Sequence, residues 1–232
     1  MSRSTVARFL AWLRARDLLG VVSSGRVGSG AILPPGRLDR PMTGYVALLR
    51  GINVGSGPRI GMVDLRELVS GLGWSNVQTY LQSGNVVFAA GTADSAALAA
   101  QLETAVAGRF PVRPQVVVLT RDELAAVSAG NPFPDEAAAA PKTVHALVLA
   151  VPAGPAVEAR AAAAQQRAVG RASGDRAVVA GRAVYLNTPD GIGRSELAAA
   201  LSRPGALGDV VGTARNWSTV RALLHLCDAA GR

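Results

Sequence analysis

The order of hydrophobic periods constrains this chain more than any single residue does. Tyr45 to Leu49 is a continuous apolar run that suits a strand covered on both faces. Met62, Leu65, Leu68, Val69 and Leu72 then recur at helical spacing, and Gly73 ends the pattern. Val77 to Leu81 and Val86 to Phe88 flank Gln82-Ser83-Gly84-Asn85, whose Gly and Asn tolerate positive φ, so a hairpin is predicted. Asp94 can cap a helix carrying Leu98, Leu102, Ala105, Val106 and Phe110, and Pro114 to Leu119 supplies a fourth strand. Thr120 and Glu123 have the spacing of a capping box, which predicts a further short helix. The order is βαββαβ.

After the breaker-rich Gly130-Asn131-Pro132-Phe133-Pro134 the same order recurs. Thr143 to Val151 reads as a strand, and Pro155 opens an alanine-rich helix expected to stop near Gly170. Arg176 to Ala180 and Ala183 to Leu186 form a hairpin around Gly181-Arg182. Ser195 to Leu201 reads as a helix, Asp209 to Gly212 as a short strand, and Trp217 to Ala229 as a closing helix with Trp217, Val220, Leu224 and Cys227 on one face. The expected fold class is α+β, with two ferredoxin-like (βαββαβ) units carrying antiparallel sheets. Their expected bounds are 42–130 and 131–232. Residues 1–41, rich in Ser, Gly and Pro beyond a helix-capable stretch from Val6 to Leu19, are expected to be a flexible basic tail, with Met42 a plausible alternative start.

The chain has 232 residues and a formal net charge of +8. Clustered Lys and Arg would point to nucleic acid through phosphate neutralisation. Here seven arginines against two acids precede Met42, so +5 of the charge lies in the tail and the body is only mildly basic. Lys142 is the sole lysine. A single cysteine, Cys227, excludes an internally disulfide-stapled scaffold and makes a reducing cytoplasm the expected location. No apolar run reaches the ~18 residues that a membrane span requires. Arg14, Arg16 and Asp17 interrupt what would otherwise resemble a signal sequence.

Four corners combine glycine with polar side chains. In Arg50-Gly51-Ile52-Asn53-Val54-Gly55-Ser56-Gly57, a strand runs into a glycine-bearing loop that can turn N–H groups toward an anion. It lacks the spacing of a dinucleotide fingerprint and the Gly-Lys-Ser/Thr end of a P-loop. The alternative is a plain connection in which Arg50 and Asn53 hydrogen-bond carbonyls. Gln82, Ser83 and Asn85 occupy the hairpin tip, where they can read a ligand edge with Tyr80 as a stacking ring, or simply satisfy local backbone. Arg194 and Ser195 sit at a glycine loop before a helix. Arg215 directly precedes Asn216 or Ser218 as the cap of the last helix, in which Trp217 is expected to pack inward while its indole N–H finds an acceptor. His145 lies mid-strand, where a packed neutral ring is expected, and no metal-ligand spacing or nucleophile elbow occurs.

Leu-Leu-Arg-Gly-Ile-Asn-Val-Gly, Thr-Tyr-Leu-Gln-Ser-Gly-Asn-Val-Val-Phe, Asn-Pro-Phe, Gly-Ile-Gly-Arg-Ser and Thr-Ala-Arg-Asn-Trp-Ser-Thr-Val together resemble the bacterial domain-of-unknown-function 1697 family over Thr43 to about Leu226. The resemblance implies paired ferredoxin-like units and no particular reaction. Ser56-Gly57-Pro58 departs from the lysine-rich loop expected of that family, and Ser218 stands where it often has Asn.

These readings converge on a cytoplasmic, noncatalytic binder of an anionic, phosphorylated small molecule, with no cofactor, no metal and no membrane association. Its candidate ligand-binding residues are Arg50, Gly51, Asn53, Gln82, Ser83, Asn85, Arg194, Ser195, Arg215 and Asn216. Two alternatives stand beside it: an enzyme acting on a nucleotide-like or phosphorylated substrate, and a nucleic-acid-binding or dimerising module. Nucleic acid ranks below the small ligand because aromatic residues make up only 4% of the chain and none form a stacking strand.

Overall fold

A computed structural model describes residues 42–169 and 173–230. The predicted tail, 1–41, and the helix stop near Gly170 lie outside the described residues. The first sheet contains β1 (Met42–Arg50), β2 (Ser75–Tyr80), β3 (Asn85–Gly91) and β4 (Gln115–Thr120) in the order β2-β3-β1-β4. The second contains β5 (Val144–Leu149), β6 (Arg176–Ala180), β7 (Ala183–Asn187) and β8 (Gly212–Asn216) in the matching order β6-β7-β5-β8. All neighbouring pairs are antiparallel. The two ferredoxin-like units read from the sequence are therefore present.

The helices are α1 (Met62–Gly71), α2 (Ser95–Arg109), α3 (Arg121–Ala129), α4 (Pro134–Ala139), α5 (Pro155–Val169), α6 (Glu196–Ser202) and α7 (Trp217–Ala230). Local chemistry sets several starts. Asp94 accepts from the Ala97 N–H, Thr120 and Glu123 complete their capping box, and Ser195 accepts from the Ala198 N–H. Two expectations need correction. The last strand is Gly212–Asn216 rather than Asp209–Gly212: the valines that suggested it, Val210 and Val211, pack beside two cores as the chain approaches, while β8 itself carries Thr213 and Arg215. The stretch after Gly130 is also more than a breaker, because Pro134 in the first turn, followed by Asp135 and Glu136, starts α4.

Side-chain alternation explains why the central strands read as continuous apolar runs. Tyr45, Ala47 and Leu49 of β1 face α1 and α2, whereas Val46 and Leu48 face a second core. That second core is shared: it also takes Val144, Ala146 and Val148 of β5, Tyr185 of β7, and Trp217, Val220, Leu223 and Cys227 of α7. Helix α7, which follows the second sheet in sequence, packs on β1 and β3 of the first as well as on β5 and β8. A third core lies under α5 and α6, formed with Leu147, Leu149, Val184 and Leu186. Both faces of each sheet are thus covered, and the described residues form one compact unit.

Candidate functional site

Three of the motifs singled out in the sequence meet at one point, and Arg215 is at its centre. Its side chain leaves β8 and enters the first sheet where β1 ends and the β2–β3 turn begins. Nη2 donates to the carbonyls of Leu49 (2.9 Å) and Ser83 (2.9 Å); Nη1 donates to Thr213 Oγ1 (2.8 Å) and to the Ala214 carbonyl (2.8 Å). Nε donates to Asn85 Oδ1. All five N–H donors are therefore taken by protein acceptors, and none is left for a ligand. The residue is 8% exposed, and burial pulls its pKa down to about 10, still cationic at neutral pH.

The surrounding residues complete a knot. Asn85, fully buried, donates to the Tyr80 carbonyl (2.8 Å) and to Ser83 Oγ (3.0 Å). Gly84 adopts φ +73°, and a Cβ there would stand 2.7 Å from Ile52 Cδ1 and 2.9 Å from Leu49 Cβ, so close packing requires glycine. Asn53, at φ 55°, bridges its loop to the hairpin by donating to the Gln82 carbonyl (2.9 Å) and the Ile60 carbonyl (3.0 Å), while its Oδ1 accepts from the Ile60 N–H (2.8 Å). Gln82 and Ser83 are exposed at the turn, and the space beside Gly51 is open. Tyr80 packs against the shared core.

The other predicted residues serve nearby ends. Arg50 donates to the carbonyl of Ser202 (2.6 Å), the last residue of α6, where a cation complements the helix dipole. Asn216 caps α7 by accepting from the Thr219 N–H (2.9 Å). Ser195 caps α6, and Arg194 is exposed in the turn before it; neither hydrogen-bonds to the Arg215 knot. His145 is 5% exposed, its Nδ1 has no partner, and burial lowers its pKa.

One residue that the sequence left as a turn, Arg182, joins the sheets a second time. It ion-pairs with Glu123 of α3 and donates to the Ala150 and Leu149 carbonyls. Tyr185 adds a bond to the Val127 carbonyl (2.7 Å). The available signal was Glu123, whose Oε2 closes the capping box and whose Oε1 remains for Arg182.

Open space lies elsewhere. Between α5 and α6 runs a groove of about 360 Å³ floored by Ala164, Ala168 and Ala200, with Arg167, Arg203 and Glu196 on its rim. It continues into a second lobe of about 310 Å³ that shares Ala164, Arg167 and Ala200 and adds Arg160. Alanines on both helices leave the volume unfilled. Among the described residues, none of these three arginines pairs with a carboxylate. No three His, Cys, Asp or Glu side chains gather among the described residues, and no described helix is long and apolar enough to cross a membrane.

Two four-stranded ferredoxin-like sheets joined through a shared core and arginine contacts define a tandem α+β protein. The chain belongs to the DUF1697 family, described as proteins of unknown function, whose model matches residues 42–185. The solved structure of the conserved bacterial protein SP0830 from Streptococcus pneumoniae has a similar fold, with a TM-score of 0.58 at 22% identity, covering 80% of this chain and 99% of that one. No curated protein matches this chain.

Proposed function

We propose that this protein binds, without transforming it, an anionic small molecule carrying a phosphoryl group, and that the α5–α6 groove is where it does so. One observation carries the reading: Arg160, Arg167 and Arg203 face a common hollow whose lining includes one carboxylate, that of Glu196. A guanidinium presents paired N–H donors that match phosphate oxygens, and three of them around an apolar floor favour a ligand with a charged end and a less polar body. Arg50 bonds the carbonyl of Ser202, the residue before Arg203, and so holds the end of α6 from the first sheet without lining the groove.

The test is a thermal-shift and calorimetric titration with inorganic phosphate and nucleoside 5′-monophosphates, on the full chain and on an Arg167→Gln/Arg203→Gln variant. Ligand binding to the folded state alone raises the melting temperature. The double variant should melt like the parent without ligand and lose the ligand-induced rise. A rise that survives in the variant, or no rise for any phosphorylated probe, refutes the proposal.

A further inference from the structure

We infer a second binding site, for a small aromatic carboxylate, in the cavity between the α3–α4 corner and α7. Two sequence motifs that the α5–α6 groove leaves unused, Asn-Pro-Phe and Asn-Trp-Ser-Thr-Val, meet here. Asn131 turns the chain by accepting from the Phe133 N–H (3.0 Å) and donating to the Phe133 carbonyl (3.3 Å). Phe133 is thereby buried in the shared core, and Pro134 begins α4. The resulting hollow measures about 340 Å³.

Its walls define the ligand. Trp217, Pro134 and Ala137 supply a flat apolar surface, while Ser128 and Arg221 supply a hydroxyl and a cation. Arg221 lies four residues after Trp217 on α7, so both side chains fall on one face. No carboxylate lines the cavity. Trp217 is 7% exposed and contributes to the wall of this hollow. A carboxylate meets the Arg221 charge, and its oxygens can accept from the Ser128 hydroxyl as well. An apolar cavity of ~150 Å³ suffices for benzene, so this volume takes one substituted ring. The indole offers such a ring a stacking surface.

The experiment titrates benzoate and its neutral isostere benzamide against the full chain, read by calorimetry and tryptophan fluorescence. Benzoate should bind at least about tenfold more tightly than benzamide, in line with a charge-assisted bond. Arg221→Gln, at an exposed position, should bring benzoate down to the benzamide affinity and leave benzamide unchanged. Ala138→Trp, on the cavity's exposed edge, should abolish both while the melting temperature holds. Equal affinity for the two probes, no binding of either, or benzoate binding indifferent to both substitutions overturns the inference. Benzoate binding lost in the Arg167→Gln/Arg203→Gln variant also overturns it, because the probe would then occupy the other groove. Phosphate binding at α5–α6 stands or falls separately.

Discussion

Replacing Arg215 by Met removes the guanidinium from the junction of the sheets while keeping an unbranched apolar stem. Three acceptors, the Leu49 and Ser83 carbonyls and Asn85 Oδ1, then lose a charged donor, two of them in a buried setting and Ser83 in a partly buried one. A buried acceptor left unsatisfied costs about 1–3 kcal/mol, which puts the gross loss at roughly 3–9 kcal/mol. Part returns, because the variant no longer desolvates a cation, the same effect that draws the Arg215 pKa down to about 10. Breaking one side of a buried charged network typically leaves a net loss of about 3–5 kcal/mol. At a urea slope of ~2–3 kcal/mol/M, that lowers the denaturation midpoint by roughly 1.5 M with the slope unchanged. Arg215→Lys keeps the charge but gathers three donors on one nitrogen, which cannot reach acceptors spread over β1, the hairpin turn and β8. It should retain most of the loss. A midpoint shift below about 0.5 M for Met, or full recovery with Lys, would show that the fork of hydrogen bonds does not hold the sheets together.

Gly84→Ala should destabilise by about 2–4 kcal/mol, since the new Cβ meets Ile52 and Leu49 at a positive φ; an unchanged urea midpoint would contradict that packing. Leu81 is 55% exposed at φ 57°, so Leu81→Asn should gain about 0.5–1 kcal/mol by easing backbone strain, read as a higher melting temperature; a fall would give the leucine a packing role. Burial holds the His145 pKa below its ordinary 6.5, so below that pH the unfolded chain takes up a proton that the folded one refuses. Stability should therefore fall as pH drops through 6.5 toward the folded value, and His145→Gln should flatten that fall; identical pH profiles for parent and variant would exclude the residue as its source.

The parts of this structure that were legible in the sequence are those governed by local periodicity. Leu65 and Val69 mark the buried face of α1, and the alternation within β1 and β5 follows from cores on both sides of each sheet. Position 212–216 escaped because a strand that carries Thr213 and Arg215 inward has no apolar signature, and the partners of Arg215 are largely main-chain oxygens, which every sequence possesses. Arg182 escaped for a related reason: a hairpin glycine-arginine pair looks like exposed punctuation until Glu123 is brought to it from α3 of the other unit. The grooves were invisible for the opposite reason. The α5–α6 hollow comes from side-chain volume that is missing at Ala164, Ala168 and Ala200, and in the sequence those residues register only as helix propensity. Conspicuous glycine, amide and arginine corners thus mark where this chain must close upon itself, because left-handed turns and carbonyl-reading side chains are what a tight junction between two sheets demands. Ligand-sized space arises where the sequence is plainest, between alanine-lined helices and behind the short helix α4. Substitutions in the knot should accordingly act through stability, and substitutions of Arg167, Arg203 or Arg221 through binding at unchanged stability; this division separates the two roles in one set of melting curves.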